Sequence, residues 1–280
     1  MNIDKFINEE KSYFEPMIQR QNKYTTVELE NFRSETVSER RRRVSREMFE
    51  YCNETIQYGP FKGLKLTSNT WWGGNDLGSM CFGLYENELL EFLTSDSLND
   101  RDTFVDIGAA DGYYAIGLLK SNRVKKALCF ELTSEGRNTI NLNWDINNQP
   151  GEIEVKGDVF TDFKASINNI DTKKSIVLID IEGAEFSFLD IEVLITLKEA
   201  VIAIEIHNWI PNFIDVYSKF LKDANDFFDI EILDRKERST LIFEELRSLT
   251  DDNRLLLTSE ARPCLMRFLI LKPKSKTEIE

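Results

Sequence analysis

The chain has 280 residues, of which 41% are hydrophobic and 30% charged, a composition typical of a globular protein with one large core and an appendage. Its formal net charge of −14 argues against a nucleic-acid partner, because binding to phosphates draws most of its affinity from Lys and Arg. We find no run of about 18 apolar residues and no signal-peptide pattern, and we therefore expect a cytoplasmic protein without a membrane span.

The cysteines and the basic residues give no sign of a zinc or nucleic-acid site. The four cysteines, at positions 52, 81, 129 and 264, show no metal-binding spacing. Cys129 and Cys264 lie in apolar runs, so we expect them to be buried free thiols. The basic cluster at 40–43 has glutamates nearby, and we interpret it as a solvated helix face.

Residues 1–58 predict a helical extension, whereas residues 59–84 predict turns and hairpins. Apolar residues recur at helical spacing in the first segment, and Thr36 with Glu39 forms a capping-box pattern before a helix at about 36–57. Glycine and proline are frequent in the second segment, as is typical of turns. A short helix is expected at 85–93.

Strands and helices alternate from residue 103 onwards. We expect strands at 103–107, 127–131, 153–156, 175–180, 201–207, 228–233 and 264–271. We expect helices at 112–121, 134–147, 184–198, 212–225 and 240–248. Continuous apolar strands indicate burial on both faces. The predicted fold class is therefore α/β, with a seven-stranded, mostly parallel sheet in a domain at 59–272 and a charged tail at 273–280.

A glycine-containing turn follows the first strand, in the segment Asp106-Ile-Gly-Ala-Ala-Asp-Gly112. Small residues there leave backbone N–H groups open to a ligand, at the sheet edge where doubly wound folds bind ligands. The spacing lacks the glycines of a dinucleotide fingerprint and the lysine of a P-loop. The remaining pattern resembles the first motif of class I S-adenosylmethionine-dependent methyltransferases. An ordinary turn between a strand and a helix is the alternative.

Two acidic residues end the next two strands and suit an adenosine ligand. Glu131 would accept hydrogen bonds from both ribose hydroxyls, each worth about 1.5–3 kcal/mol. Asp158 would accept one from the adenine amino group. For Glu131 the alternative is an exposed residue at a strand end.

The segment 177–185 and the strand at 201–207 bring further polar groups to this edge. Asp180 and Glu182 face the same crevice as the glycine turn, whereas Glu185 is better explained as a helix cap. Alternation places Glu205 and His207, the only histidine, on one face of their strand. A general base, a metal ligand and a structural residue all stay open for His207.

With these segments assembled, the chain resembles FkbM-type methyltransferases over about residues 60–272. The resemblance rests on these segments: the glycine turn, Glu131 with Asn143 and Asn147 behind it, Ile179-Asp-Ile-Glu-Gly-Ala-Glu185, Glu205-Ile-His207, Arg262-Pro263, and Met266-Arg-Phe268. The chain departs from the family at Ala110, where Asn is usual, at Asp111, where an apolar residue is usual, and at Leu132, where Pro is usual.

The resemblance implies a Rossmann-like domain that binds S-adenosyl-L-methionine. The segment 83–86 is similar to the family's entry segment, which would place Glu86 near the methionine end of the cofactor. The residues expected at the cofactor are Glu86, Asp106, Gly108, Ala109, Ala110, Gly112, Glu131, Leu132, Asp158, Val159 and Asp180.

The resemblance also implies O-methylation of a hydroxyl group on a sugar, a glycan or a small natural product. We expect His207 to be the general base, with Asp180 or Glu182 orienting it or the substrate. A less favoured variant is a divalent cation held by four of these groups: Asp180, Glu182, Glu205 and His207.

Other functions stay open beside this one. A cofactor-binding or scaffolding module without catalysis is one, although the intact glycine turn argues against it. Methylation of nitrogen or carboxyl groups is another, although no Asn/Asp-Pro-Pro-Tyr motif is present. Trp71 and Trp72, with Asp76, are a secondary candidate for a sugar site, and anchoring of a hairpin on the core is the simpler explanation. Residues 1–58 are candidates to cap the substrate side, and such an extension is compatible with a homodimer.

Overall fold

Seven strands form one sheet in the computed structural model, which describes residues 2–21, 25–264 and 266–274. The strands are β1 Thr103–Ile107, β2 Lys126–Phe130, β3 Glu152–Lys156, β4 Ser175–Ile179, β5 Val201–Glu205, β6 Phe228–Leu233 and β7 Phe268–Pro273. Their order is β3-β2-β1-β4-β5-β7-β6, and β7 runs antiparallel to β5 and β6. The predicted α/β class with a seven-stranded, mostly parallel sheet is confirmed.

The central strands are covered by helices on both faces of the sheet. All residues of β1, β4 and β5 are buried. Successive side chains of β1 point into two different hydrophobic clusters, with Phe104 in one and Val105 in the other. The continuous apolar runs of the sequence therefore correspond to strands between two layers of helices.

Helices flank the sheet and form the amino-terminal segment. The α-helices of the described residues are α1 Ile3–Gln21, α2 Thr26–Phe32, α3 Val37–Tyr51, α4 Leu77–Cys81, α5 Asn87–Leu93, α6 Tyr113–Lys120, α7 Ser134–Ile146, α8 Val159–Ile167, α9 Glu185–Phe188, α10 Ile191–Leu197, α11 Phe213–Asn225 and α12 Asp251–Thr258. Short 3₁₀ helices lie at Gly73–Asn75, Asp96–Leu98, Thr172–Lys174 and Glu244–Ser248.

Three predictions for helices and turns differ from the structure. The predicted helix at 184–198 is divided into α9 and α10, since Asp190 caps α10 by accepting from Val193 N at 2.9 Å. The helix expected at 240–248 is a 3₁₀ helix, and α12 begins after its own cap, Thr250. Residues 59–84 contain α4 rather than hairpins, and Lys65 forms an isolated bridge with Thr55.

The amino-terminal helices differ in how they attach to the sheet domain. The predicted capping box is present, with Thr36 Oγ1 accepting from Glu39 N at 3.2 Å at the start of α3. This helix buries Val44 in the core, and Arg41 on it is 7% exposed and pairs with Asp76 at 2.5 Å. The interpretation of 40–43 as a solvated face is therefore wrong for Arg41. In contrast, α1 leaves apolar side chains such as Phe14 exposed.

No helix among the residues that the structure describes is both long enough and apolar enough to cross a membrane. At the carboxyl end, β7 begins at Phe268 rather than at 264. Cys264 therefore lies in the preceding loop and is exposed, whereas Cys129 on β2 is buried as expected. Pro273 ends β7, and residues 275–280 of the predicted tail lie outside the described residues.

Candidate functional site

A cavity of about 370 Å³ opens at the carboxyl ends of β1 to β4, within the range of about 300–1,000 Å³ typical of small-molecule sites. It lies where the strand order reverses, between β1 and β4, the usual ligand position in open α/β sheets. Most residues expected at the cofactor line it: Asp106, Gly108, Ala109, Ala110, Glu131, Leu132, Asp158, Val159 and Asp180. Glu182 also lines the cavity.

Gly108 allows two strand ends to approach closely. Its φ is 92°, and a Cβ atom there would lie 1.7 Å from the carbonyl oxygen of Asp180. Packing of the turn against the end of β4 therefore requires glycine at this position, in addition to any need for ligand access. Gly112 lies at the other end of the turn, with a φ of 78°, and starts α6 rather than lining the cavity.

Asp106 presents an unsatisfied acceptor at the cavity wall. The residue is 2% exposed, and its Oδ2 atom has no hydrogen-bond partner among the described residues. Burial raises the pKa of this carboxyl group to about 7, although a hydrogen bond from the backbone of Ala115 opposes the rise. A buried oxygen without a partner is costly, so this atom marks a position for a donor group of a ligand.

Local donors hold Glu131 in place at the end of β2. Its Oε2 accepts from Ala110 N at 3.0 Å, and its Oε1 accepts from Thr133 N at 2.8 Å and from Thr133 Oγ1 at 2.7 Å. The residue is 8% exposed, so it is not the exposed strand-end glutamate of the alternative interpretation. Its carboxylate is fixed at the wall and keeps one lone pair, on Oε2, for a further donor.

The end of β3 supplies a polar and an apolar part of the wall. Asp158 caps α8 by accepting from Phe160 N at 3.0 Å, and Val159 follows it as the first residue of that helix. Phe160 and Leu132 are both largely exposed at the cavity. Together they offer the flat apolar surface that a planar ring would cover.

Residues 65–73, here called the strap, form another wall and are fastened by side chains that the sequence interpretation missed. The carboxylate of Asp111 accepts from Trp71 N at 2.9 Å, Gly73 N at 3.3 Å and Trp72 N at 3.4 Å. Asn143 Oδ1 accepts from Thr67 N at 2.8 Å. The sequence signal for this contact was Asp111 itself, because an apolar residue is usual at this position in FkbM-type enzymes. The indoles of Trp71 and Trp72 stay partly exposed on the cavity wall rather than packing in the core.

His207 follows β5 and is 1% exposed. Its Nδ1 atom lies 2.6 Å from Glu185 Oε1, which also accepts from Gly183 N at 3.0 Å and from Ile181 N at 3.2 Å. Glu185 therefore accepts from backbone N–H groups of the turn before α9 instead of capping that helix, and it also makes the shortest contact with the imidazole. A single sequence carries no signal for that second contact.

The other ring nitrogen of His207 faces three carboxylates. Nε2 lies 3.5 Å from Glu205 Oε2, 3.7 Å from Asp180 Oδ1 and 3.7 Å from Glu182 Oε2. We call these four residues the β4–β5 cluster. The structure therefore brings together the residues that were expected to act on the substrate, with Asp180 and Glu182 on the cavity wall.

Mutual repulsion and burial perturb the charges of this cluster. Burial, followed by repulsion from Glu205, raises the pKa of Asp180 well above its usual range. Burial opposes a charge on His207, but hydrogen bonds with Glu185 and Glu205 outweigh it and raise the pKa of the imidazole to about 10. The raised pKa favours the protonated imidazole, and the role of His207 as a general base stays a prediction.

Arg262 connects the cluster to a buried ion network. Its guanidinium group contacts the carboxylates of Glu86, Glu205 and Glu260. Glu86 is 1% exposed and also accepts from the hydroxyl of Tyr114, so the structure does not place it on the cavity wall. Burial and the charge of Glu205 raise the pKa of Glu86 to about 8, against the effect of Arg262.

No protein-family model matches the sequence, and a comparison with curated proteins gives no significant match. Solved structures that align with the chain include precorrin-6y C5,15-methyltransferase from Geobacter metallireducens, at 14% identity and a TM-score of 0.43, over 67% of this chain and 88% of that chain. Another is a putative tRNA (m1A22) methyltransferase from Streptococcus pneumoniae in complex with S-adenosyl-L-methionine, at 14% identity and a TM-score of 0.43, over 70% and 78% of the two chains. A third is TYW2 from M. jannaschii in complex with AdoMet, at 15% identity and a TM-score of 0.40, over 67% and 73%. Similarity this low identifies neither a reaction nor a substrate for this chain.

Proposed function

We propose that this protein is a class I S-adenosylmethionine-dependent methyltransferase that methylates a hydroxyl oxygen of a sugar, a glycan or a small natural product. The observation that carries the proposal is a pair of acceptors at the cavity. These are Asp106 Oδ2, which has no partner among the described residues, and the Glu131 carboxylate, which Ala110 and Thr133 hold in position. The segment 179–185, with its resemblance to FkbM-type enzymes, supports the finer assignment.

The residues of the cavity fit S-adenosylmethionine in their chemistry. Glu131 would accept from a ribose hydroxyl through Oε2, which keeps a lone pair beside its bond from Ala110 N, whereas Oε1 already accepts from Thr133 N and Thr133 Oγ1. Asp158 would accept from the adenine amino group, with Leu132 and Phe160 against the ring. Asp106 would accept from the amino group of the methionine part, which gives its buried oxygen a partner.

When bound, S-adenosylmethionine supplies a methyl group on a positively charged sulfur, and the sulfur keeps the electron pair of the broken bond as the acceptor oxygen takes the methyl carbon. The task of the chain is to hold a hydroxyl group in line with that carbon, which can supply about 7–11 kcal/mol. Asp180 and Glu182 lie on the cavity wall beside His207, and this supports His207 as the general base that takes the proton of the hydroxyl, with Asp180 or Glu182 orienting it or the substrate. The exposed indoles of Trp71 and Trp72 are placed to cover a ring of the acceptor.

The cofactor site is tested by calorimetry with S-adenosylhomocysteine and the purified full-length protein. We expect Glu131→Gln to weaken binding at least about tenfold, because the amide removes one acceptor and the negative charge. The matched control is Glu135→Gln, which alters an exposed glutamate in the first turn of α7. Equal affinity of Glu131→Gln and the wild type would contradict the assignment.

The reaction is tested by incubating the protein with labelled S-adenosylmethionine and extracts of glycans and small molecules. We expect the label to appear on an oxygen of one acceptor. Binding of S-adenosylhomocysteine without any labelled product would instead favour a cofactor-binding module that does not catalyse methyl transfer.

A further inference from the structure

The β4–β5 cluster brings carboxylate oxygens close to a ring nitrogen without direct hydrogen bonds to it. Asp180 Oδ1 and Glu182 Oε2 each lie 3.7 Å from His207 Nε2. Direct N–H···O bonds are about 2.7–3.2 Å long. Adjacent ligands of one octahedral ion at about 2.1 Å lie about 3.0 Å apart, so side-chain shifts of less than about 1 Å would bring these atoms into coordination.

The imidazole is held as a metal-binding histidine usually is. A ligating histidine almost always uses its other ring nitrogen to contact a carboxylate, which fixes the orientation of the ring. Here Nδ1 lies 2.6 Å from Glu185 Oε1, and Glu185 is itself tied to the backbone of Gly183 at 3.0 Å. This arrangement directs Nε2 towards Asp180 and Glu182.

Two buried carboxylate oxygens at this place have no hydrogen-bond partner among the described residues. They are Asp180 Oδ1 and Glu185 Oε2, and Glu185 is fully buried. One ligand atom each from Asp180, Glu185 and His207 lie within 4.8 Å of one another. Buried carboxylates are costly unless they are paired or bind a metal ion, so these atoms point to a missing positive group.

The positive charges nearby do not match the negative ones. Asp180, Glu182, Glu185 and Glu205 converge on His207. Arg262 reaches Glu205 but also contacts Glu86 and Glu260. Asp180 and Glu182 therefore rely on the single imidazole, and a divalent cation between them would supply the charge that this part of the site lacks.

We propose that Asp180, Glu182 and His207 Nε2 bind one divalent cation of the Mn²⁺ or Mg²⁺ class at the wall of the cavity. Carboxylates are the ligands that such an ion prefers, and the ion would displace a proton from Nε2 on binding. Three protein ligands would leave coordination positions open. Its role rests on the proposed function: an acceptor hydroxyl that takes an open position would lose its proton more easily.

Mn²⁺ alone is the probe, added to full-length protein that has been stripped with a chelator. The paramagnetic resonance signal of free Mn²⁺ is expected to fall until one ion is bound per chain, and Mg²⁺ is expected to compete. The ring of Trp209 lies 4.6 Å from that of His207, so bound Mn²⁺ is expected to quench indole fluorescence. In Trp209→Phe this part of the quenching is lost while Mn²⁺ still binds.

Variants locate the ion. Asp180→Asn and Glu182→Gln are expected to weaken Mn²⁺ binding about tenfold or more, and Glu182 is half exposed, so its variant leaves the core intact. Glu154→Gln, on an exposed position of β3, is the matched control. Absence of binding at millimolar Mn²⁺, or unchanged affinity in both variants, would overturn the inference. Binding of S-adenosylhomocysteine, measured on the same samples, tests the proposed function separately.

Discussion

The two sides of the cavity differ in how their acidic groups are compensated. On the side of β1 to β3, Glu131, Asp111 and Asp158 each accept hydrogen bonds from backbone N–H groups close to them. On the side of β4 and β5, Asp180 and Glu182 depend on the side chain of His207, and Asp180 Oδ1 has no hydrogen-bond partner among the described residues.

Apart from Asp106, whose Oδ2 has no partner among the described residues, the β1–β3 side is a finished surface and the β4–β5 side an incomplete one. Backbone donors hold a carboxylate in position before any ligand arrives. Carboxylates that face one another raise each other's pKa, as they do for Asp180, and need a positive partner. We therefore expect the first side to bind its ligand with little change and the second to depend on charged partners.

The largest loss of stability is expected on the β4–β5 side, where carboxylates depend on the guanidinium group of Arg262, which is distant in sequence. Arg262→Met leaves Glu86, Glu205 and Glu260 without their shared guanidinium. Removing one partner of a buried ion group costs about 3–5 kcal/mol, which urea unfolding will measure. Arg262→Lys keeps the charge without the planar fork and is expected to lose less. A smaller loss for Arg262→Met than for Asp111→Ala would break the comparison.

A moderate loss of stability is expected when Asp111, which holds the strap on the β1–β3 side, is replaced. Asp111→Ala leaves the N–H groups of Trp71, Trp72 and Gly73 without their acceptor. Unsatisfied donors cost about 1–3 kcal/mol, and the indoles make the change visible in the fluorescence of the unfolding curve. Asp111→Asn keeps one acceptor oxygen and serves as the control. Equal stability of all three proteins would show that the strap does not need this anchor.

A third expected effect is a change in the pH dependence of stability at Asp106. Its pKa is raised by burial from 3.8 to about 7, so the folded state binds the proton more tightly than the unfolded state. This contribution to stability is complete below about pH 4 and is lost as the pH rises through 7. Wild-type stability relative to Asp106→Asn is therefore expected to fall between pH 4 and 7. Parallel unfolding profiles over this window would exclude a raised pKa.

Local patterns predicted the finished side well. The apolar run at 103–107 forms β1 with the same bounds, and Glu131 and Asp158 lie on the cavity wall, beyond the ends of β2 and β3. Their partners are Ala110, Thr133 and Phe160. Contacts of this kind depend on the strand-turn-helix units, which the spacing of apolar and small residues encodes.

The ion pairs of the incomplete side could not be predicted in the same way. Arg262 reaches Glu86 and Glu205 across distant parts of the chain, and nothing in the sequence around any of them indicates the pairing. Glu86 was expected at the cofactor because its neighbours match a motif, but tertiary ion pairs hold it behind the wall. Long-range charge pairing depends on how the finished fold superimposes distant segments.

The close contact at Gly108 joins these two sides mechanically. The absent side chain lets the turn rest on the carbonyl of Asp180, and the same turn carries Ala110, which holds Glu131. A displacement of the end of β4 has to move the turn as well. If a ligand at the end of β4 changes the affinity for a ligand beside β2, the ligand beside β2 must change the affinity at β4 by the same factor. We therefore expect the close contact at Gly108 to couple ligand binding on the two sides of the cavity.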